Sequence, residues 1–121
     1  MKRKLTESAK LLTILIPTLF VMSCASQKGL YSWHDYSTRY YSYIKNADER
    51  SFEELTNTYQ EIIDNQTGSR EVVPPGIYAD YAYLLLENGK TEEAKAMFEK
   101  EIELYPESAV FIKNILARIE K

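Results

Sequence analysis

From residue 31 onward, apolar residues recur at intervals of three and four, and glycine and proline separate the runs. This spacing places apolar side chains on one face of a helix, whereas strict alternation would indicate a strand. Prolines interrupt helix interiors, and glycines favour the left-handed geometry that ends helices. The chain is therefore predicted to be all-α, with about five helices in antiparallel pairs. The predicted helices cover about 32–46, 51–64, 76–88, 91–105 and 107–120.

Individual residues mark the ends of these helices. Ser51 and Glu54 fit a capping box, in which the two side chains accept hydrogen bonds from each other's backbone amides. Gly89 fits a left-handed cap after the third helix, and Thr91 fits the cap of the fourth. Pro106 precedes the fifth helix, since proline is tolerated at a helix start.

The first 24 residues follow a different pattern. Basic residues at positions 2–4 precede an apolar run at 11–22, and Ser23, Cys24 and Ala25 follow. This order is typical of a secretory signal peptide, whereas a transmembrane helix needs about 20 apolar residues. A lone cysteine at this point resembles the lipobox of bacterial lipoproteins. That resemblance implies a removable signal peptide at 1–23 and lipidation of Cys24.

The remaining chain is expected to consist of the lipidated cysteine with a short polar tether (24–30) and one helical domain (31–121). Removal of 23 of the 121 residues leaves 98, which is enough for one small domain. The signal holds 4 of the 15 basic and 1 of the 18 acidic residues, so 11 basic and 17 acidic residues remain, a net charge of −6. This balance argues against binding to nucleic acid or anionic lipid, and it assigns membrane attachment to the acyl anchor alone.

The residue after the cysteine is Ala25 and no acidic cluster follows it. In lipoproteins similar to the enterobacterial ones, a residue other than aspartate at this position favours transfer to the outer membrane. The resemblance therefore implies a protein of the bacterial cell envelope, anchored in the outer membrane and facing the periplasm.

Residues 75–108 match a 34-residue pattern. The matching positions are Tyr78, Ala82, Gly89, Ala94, Phe98 and Pro106. This pattern resembles the tetratricopeptide repeat, in which small residues let two helices cross closely and aromatic residues fill the space beside them. Glu101 departs from it, where alanine is expected, and should weaken the packing of a following repeat. The resemblance implies a short solenoid with a degenerate first copy and a C-terminal capping helix, and an ordinary helical bundle is the alternative.

Four segments form a further pattern. They are Tyr31-Ser32-Trp33 with Tyr36, Val73-Pro74-Pro75-Gly76 with Ala79 and Tyr83, Phe98-Glu99-Lys100-Glu101, and Leu104-Tyr105-Pro106-Glu107-Ser108 with Phe111. Over about residues 31–119 this pattern resembles an uncharacterised family of small bacterial lipoproteins. That family has no assigned chemistry, and its genes often lie beside those of a lipoprotein similar to the curli secretion channel. The resemblance implies a role in an envelope assembly, with such a lipoprotein as a partner.

We find no pattern of residues typical of catalysis. His34 is the only histidine, Cys24 is used by lipidation, and the four glycines form no phosphate loop. The glutamates of the fourth helix, including Glu101, are expected on its solvated side. We therefore predict no enzyme, no cofactor, no metal site and no small-molecule substrate.

As a class of function, protein binding fits the sequence better than catalysis. Tetratricopeptide repeats bind peptides with the first helix of each pair, so the resemblance implies a groove with Ala79, Tyr83, Leu86 and Glu87. The alternative is that Tyr83 and Leu86 only pack on the first helical pair. Trp33, Tyr36, Tyr40 and Tyr41 are a second candidate surface, because aromatic residues anchor many interfaces. An aromatic stripe at helical spacing is more often core, so we expect the first three inside and only Tyr41, which lies off the stripe, exposed.

The resulting hypothesis is a lipid-anchored adaptor without catalysis, an accessory subunit of an outer-membrane assembly or secretion complex. Its partners would be the membrane, through the acyl anchor, and envelope proteins, with no nucleic acid. The alternative is a structural spacer that acts through self-association, without a separate ligand.

Overall fold

The computed structural model describes residues 28–120. Its helices are α1 (Tyr36–Asn46), α2 (Glu49–Asp64), α3 (Ile77–Glu87), α4 (Thr91–Leu104) and α5 (Ala109–Ile119), with a 3-10 turn at Pro106–Ser108. The predicted all-α class is confirmed, since the described residues form five packed α-helices and no strand. None of these helices is long and apolar enough to cross a bilayer. The predicted signal peptide (1–23), Cys24 and the tether up to residue 27 lie outside the described residues.

Helices α3 and α4 form an antiparallel hairpin, and their contact is the most extensive between any two helices of residues 28–120. Gly89 ends α3 at a φ of +74°, which confirms the predicted left-handed cap. Its amide donates to the carbonyl of Leu86, and the amide of Lys90 donates to that of Leu85. This pair of bonds is a Schellman motif, which turns the chain into α4 within three residues.

Helices α1 and α2 form a second antiparallel pair, joined by only two residues. The ring of Tyr36 at the start of α1 lies 5.7 Å from that of Tyr59 near the end of α2. Helix α1 runs beside α3 in the same direction, since Tyr36 bonds to Asp80 near the start of α3 and Tyr43 bonds to Glu87 at its end. Helix α3 is therefore central, and six of its residues are buried.

The core lies where α2, α3, α4 and α5 meet. Its members are Leu55, Tyr59, Ile62, Val73, Ile77, Tyr78, Tyr81, Ala82, Leu84, Leu85, Ala94, Phe98 and Ile112. Ala82 and Ala94 are fully buried, which lets α3 and α4 approach closely. Phe98 is also fully buried, and a phenylalanine at such a site contributes about 3–5 kcal/mol to stability relative to alanine. The hairpin predicted from the 34-residue pattern is thus the best-packed part of the molecule.

The predicted capping box of α2 is wrong in its residues. The side chain of Asp48 accepts from the amide of Ser51 at 2.8 Å, and the Ser51 hydroxyl accepts from the amide of Asp48 at 3.2 Å. The cap is thus Asp48, three residues before Ser51. Glu54 is not part of it, because its carboxylate pairs with Arg39 of α1 and Arg50 of α2.

Two further helix starts differ from the prediction. Thr91 is the first residue of α4 and not its cap, and the side chain of Lys90 before it makes no capping bond. The fifth helix begins at Ala109, because the residues after Tyr105 first form the tighter 3-10 turn. Such turns are common at helix ends, and periodicity does not distinguish them from α-helix.

Glu101 does not lie on the solvated side of α4. Its side chain is buried, and one carboxylate oxygen accepts from the backbone amide of Gly76 at 2.8 Å. That amide belongs to the start of α3, which has no helical acceptor for it. Glu101 therefore joins the two ends of the hairpin that are farthest from the Gly89 turn.

Before α1, residues 29–34 lie against the loop at 65–70, and we call this paired region the N-terminal clamp. Its backbone bonds join Ser69 to Gly29 and Arg70 to Leu30, and its side-chain bonds join Gln66 and Thr67 to Ser32, and Arg70 to Tyr31. The tether was expected to extend to residue 30. The ordered structure thus begins two residues earlier than that expectation, because a loop more than 30 residues away in sequence binds this segment.

Helix α1 begins at Tyr36, later than the predicted residue 32. His34 has a left-handed φ of +46°, which an α-helix does not accommodate. Its ring nitrogens lie 3.1 Å from the carbonyl oxygen of Asn65 and 3.3 Å from the carboxylate of Glu61. His34 is therefore part of the N-terminal clamp, and Trp33 lies outside α1.

Candidate protein-binding groove

A groove lies between α1 and α3, which are the first helices of their two pairs. It encloses about 380 Å³ and is lined by Tyr40, Tyr43, Ile44, Leu55, Tyr59, Asp80, Tyr83, Leu84 and Glu87. The buried residues of this set, Leu55, Tyr59 and Leu84, form its floor. The groove exists because α1 and α2 pack beside α3, so it is a product of the whole fold.

The walls of the groove present large side chains to solvent. Tyr40, Ile44 and Tyr83 are 41%, 62% and 40% exposed. Tyr40 stacks on Tyr36 at 5.5 Å between ring centroids, and Tyr83 meets Phe98 edge-on at 5.4 Å. Rings held in this way lose little conformational entropy when they are covered. The walls are thus suited to bind an apolar segment.

Two carboxylates lie in the groove, and tyrosines of α1 bind both. The hydroxyl of Tyr36 donates to Asp80 at 2.9 Å, and that of Tyr43 donates to Glu87 at 3.2 Å. Burial, followed by the hydrogen bond to Asp80, raises the pKa of Tyr36 to about 12. These bonds tie α1 to α3 and leave acceptor capacity for a basic group of a ligand.

The candidate residues taken from the repeat register divide into two sets. Tyr83 and Glu87 line the groove. Ala79 and Leu86 are half-buried against the core and do not line it. Leu86 therefore packs against the core, whereas Tyr83 is exposed in the groove and also contacts the core through Phe98.

The aromatic stripe before and within α1 is less buried than predicted. Trp33 and Tyr40 are exposed, so their placement in the core is wrong, while Tyr36 is half-buried. Among the described helices, α1 packs on α2 and is bonded to α3 through Tyr36 and Tyr43, and these contacts do not bury the whole stripe. Tyr41 is 67% exposed, as expected, but it does not line the groove.

The repeat register identifies two of the nine lining residues, Tyr83 and Glu87, and misses the other seven, among them Tyr40, Ile44 and Asp80. Tyr40 was expected inside, as a member of the aromatic stripe. The positions of Tyr40 and Ile44 at intervals of four from Tyr36 do identify a common face of α1. What periodicity does not show is that α3 covers only part of that face.

A larger cavity, of about 530 Å³, lies on another face of α3, between α2 and α4. It is lined in part by core side chains such as Tyr78, Tyr81 and Leu85. None of its lining residues is an exposed large hydrophobic side chain, whereas the groove between α1 and α3 has three. The groove between α1 and α3 is therefore distinguished by large side chains that its walls present to solvent, whereas the larger cavity is lined in part by core side chains.

No group of three or more histidine, cysteine or acidic side chains within residues 28–120 is arranged to hold a metal ion. His34, the one histidine, contacts the loop of the N-terminal clamp. The described residues thus offer apolar surface and hydrogen-bond acceptors in the groove, which are the elements of a binding site.

Comparison with known proteins gives one match. No curated protein and no solved structure matches the chain. A family model described as "Domain of unknown function (DUF4810)" matches residues 30–115. These residues include the N-terminal clamp except for Gly29, all of α1 to α4 and most of α5. The chain therefore belongs to the DUF4810 family, a domain family of unknown function.

Proposed function

We propose that this protein is a lipid-anchored adaptor of the bacterial envelope that binds a segment of another envelope protein in the groove between α1 and α3. The observation that carries the proposal is the groove itself, with three exposed large side chains above a buried floor. Tyrosines at such positions are frequent binding hot spots, because they combine a large apolar ring with a polar tip.

The chemistry of the groove suggests the kind of segment that it binds. Its apolar surface comes from Tyr40, Ile44 and Tyr83, and its acidic groups are Asp80 and Glu87. An apolar segment with a lysine or arginine beside it would cover the rings and donate to a carboxylate. Exposed charge pairs contribute only about 0.2–1 kcal/mol each, so most of the affinity would come from the apolar contacts.

Two sequence resemblances support the anchored, repeat-like part of the proposal. The resemblance to a lipobox implies an anchor at Cys24, and Ala25 after it implies the outer membrane, facing the periplasm. The tetratricopeptide pattern agrees with an arrangement in which the first helices of both pairs line one groove. The similar lipoproteins, whose genes lie near that of a curli-secretion-channel-like lipoprotein, make such a protein the first partner to test. The proposal assigns no catalytic step, metal or cofactor to this chain.

The test compares two surface variants of α1 in the full-length protein. Ile44→Asp adds a charge to the groove, and Tyr41→Asp adds the same charge to the same helix outside it. Both positions are more than 60% exposed, so both variants are expected to fold. We expect Ile44→Asp to lose the protein that crosslinks in intact envelopes, and Tyr41→Asp to retain it. Equal recovery from the two folded variants would exclude the groove.

A second candidate is a spacer that acts through self-association. The exposed apolar side chains of Val110 and Phe111 on α5 favour it, because a second copy could cover them. In that case crosslinking would recover only copies of this chain, and Val110→Asp would abolish the adducts. Recovery of a different envelope protein, dependent on Ile44, would support the adaptor.

A further inference from the structure

We propose that the N-terminal clamp rests on the bilayer, with Trp33 and Leu30 inserted at the boundary between headgroups and acyl chains. The inference rests on the lipid anchor at Cys24 in the proposed function, and it adds a membrane contact made by the folded domain. The partner of this surface is thus the lipid membrane that holds the anchor.

Two exposed apolar side chains project from the clamp. Leu30 is 63% exposed and Trp33 is 44% exposed. The Trp33 side chain is held in place by two other rings. Its ring centroid lies 6.2 Å from that of Tyr31 and 6.0 Å from that of Tyr36. The guanidinium of Arg70 lies over the Tyr31 ring and also donates to its hydroxyl. The surface is therefore a fixed part of the fold.

The length of the chain before the clamp decides what lies next to it. The backbone bond between Ser69 and Gly29 makes Gly29 part of the folded domain. Gly29 is five positions after Cys24, and five Cα–Cα steps span at most about 17 Å when fully extended. The clamp is thus the part of the domain that the anchor holds closest to the bilayer.

The side chains of the clamp match the chemistry of the membrane interface. Tryptophan and tyrosine are enriched where headgroups meet acyl chains, because their rings are apolar and their tips are polar. The exposed cations Lys28 and Arg70 are offset by the exposed anions Asp35 and Glu71. The contact is therefore apolar, and added salt should change it little.

Trp33 is the only tryptophan of the chain, so its fluorescence reports on this surface alone. The full-length lipidated protein would be reconstituted into phosphatidylethanolamine–phosphatidylglycerol vesicles, with or without lipids brominated near the headgroup. Flotation of the vesicles measures the anchoring independently. We expect the emission maximum of Trp33 to shift to the blue on reconstitution into vesicles. Its intensity should be about twofold lower with brominated lipids than without them, in low and in high salt.

Two variants separate the proposed contact from a general effect of anchoring. Leu30→Asp places a charge in the contact and should restore most of the emission, whereas Val110→Asp, at an exposed position of α5, should not. Both variants should float with the vesicles, because the anchor is unchanged.

The proposal is overturned if the protein floats and Trp33 emission is the same in both kinds of vesicle. It is also overturned by a blue shift without bromine quenching, which would mean that a protein surface covers Trp33. A protein that does not float would contradict the anchor and this inference together. Loss of partner binding with intact quenching would contradict only the groove.

Discussion

Glu101 illustrates how one side chain can reverse an interpretation based on a sequence pattern. The repeat pattern has alanine at this position, so a glutamate suggested weaker packing. In the structure one carboxylate oxygen accepts from Gly76 at the start of α3, and the other is buried without a hydrogen-bond partner. A carboxylate near a helix N-terminus is also favoured by the helix dipole. Glutamate in place of the alanine of the repeat pattern thus stabilises the end of the hairpin that lies opposite the Gly89 turn.

Replacement of Glu101 tests this role. Glu101→Ala should lower the free energy of unfolding by about 1–3 kcal/mol, because it removes the acceptor of the partly buried Gly76 amide. Glu101→Gln should cost less, since its amide oxygen can still accept that bond. Urea unfolding followed by circular dichroism measures both. Equal losses for the two variants would mean that the hydrogen bond to Gly76 contributes little.

At the scale of elements, the N-terminal clamp depends on the absence of a side chain at Gly68. A Cβ atom there would lie 2.5 Å from the carbonyl oxygen of Leu30 and from the Cα of Tyr31. Both are backbone atoms, so residues 29–34 of the clamp would have to move away. At Gly29, by contrast, a Cβ atom would meet its nearest neighbour at 3.4 Å.

We predict that Gly68→Ala opens the clamp while the helices remain folded. Hydrogen exchange at the amides of Ser69 and Arg70 should accelerate at least about tenfold, because local opening removes their acceptors. Trp33 emission should shift to the red, and the helical circular dichroism should be retained. Gly29→Ala is the matched control and should leave the exchange rates nearly unchanged. Unaltered protection in Gly68→Ala would contradict the close contact.

The elements that could be predicted are those that depend on neighbours in sequence. Gly89 marks the turn between α3 and α4 because its effect is local. The N-terminal clamp could not be predicted, since Ser32 is bound by Gln66 from a distant loop. The same distinction applies to the groove. Tyr83 follows from the repeat register, whereas the exposure of Ile44 depends on how much of α1 the helix α3 covers.

At the scale of the molecule, buried tyrosines connect the two helical pairs. The ring of Tyr36 lies near that of Tyr59, which stacks on Tyr81 at 5.1 Å. Burial raises the pKa of all three hydroxyls, that of Tyr36 to about 12. An unperturbed tyrosine has a pKa of about 10. The packing of α1 and α2 on α3 therefore favours the neutral form of these hydroxyls.

The folded state should lose stability as the pH rises above about 10. There the unfolded chain releases tyrosine protons that the folded chain retains, so stability decreases with increasing pH, and below pH 10 this loss is absent. Circular dichroism should show one alkaline unfolding transition, and the ionisation of Tyr36, Tyr59 and Tyr81, isolated by subtracting the tyrosinate absorbance of their phenylalanine variants, should accompany it. Tyr59→Phe should lose less of its neutral-pH stability over this range. Ionisation of these three hydroxyls near pH 10 with intact helices would contradict the prediction.

The central claim is that the groove between α1 and α3 holds another envelope protein, and site-specific photocrosslinking in living cells tests it most directly. A photoreactive phenylalanine derivative would replace Tyr83 in the groove or Asn114 on the exposed side of α5. We predict one adduct with an envelope protein from position 83, absent from position 114 and lost when Ile44→Asp is added. The same adducts from both positions, or adducts between copies of this chain alone, would contradict the account.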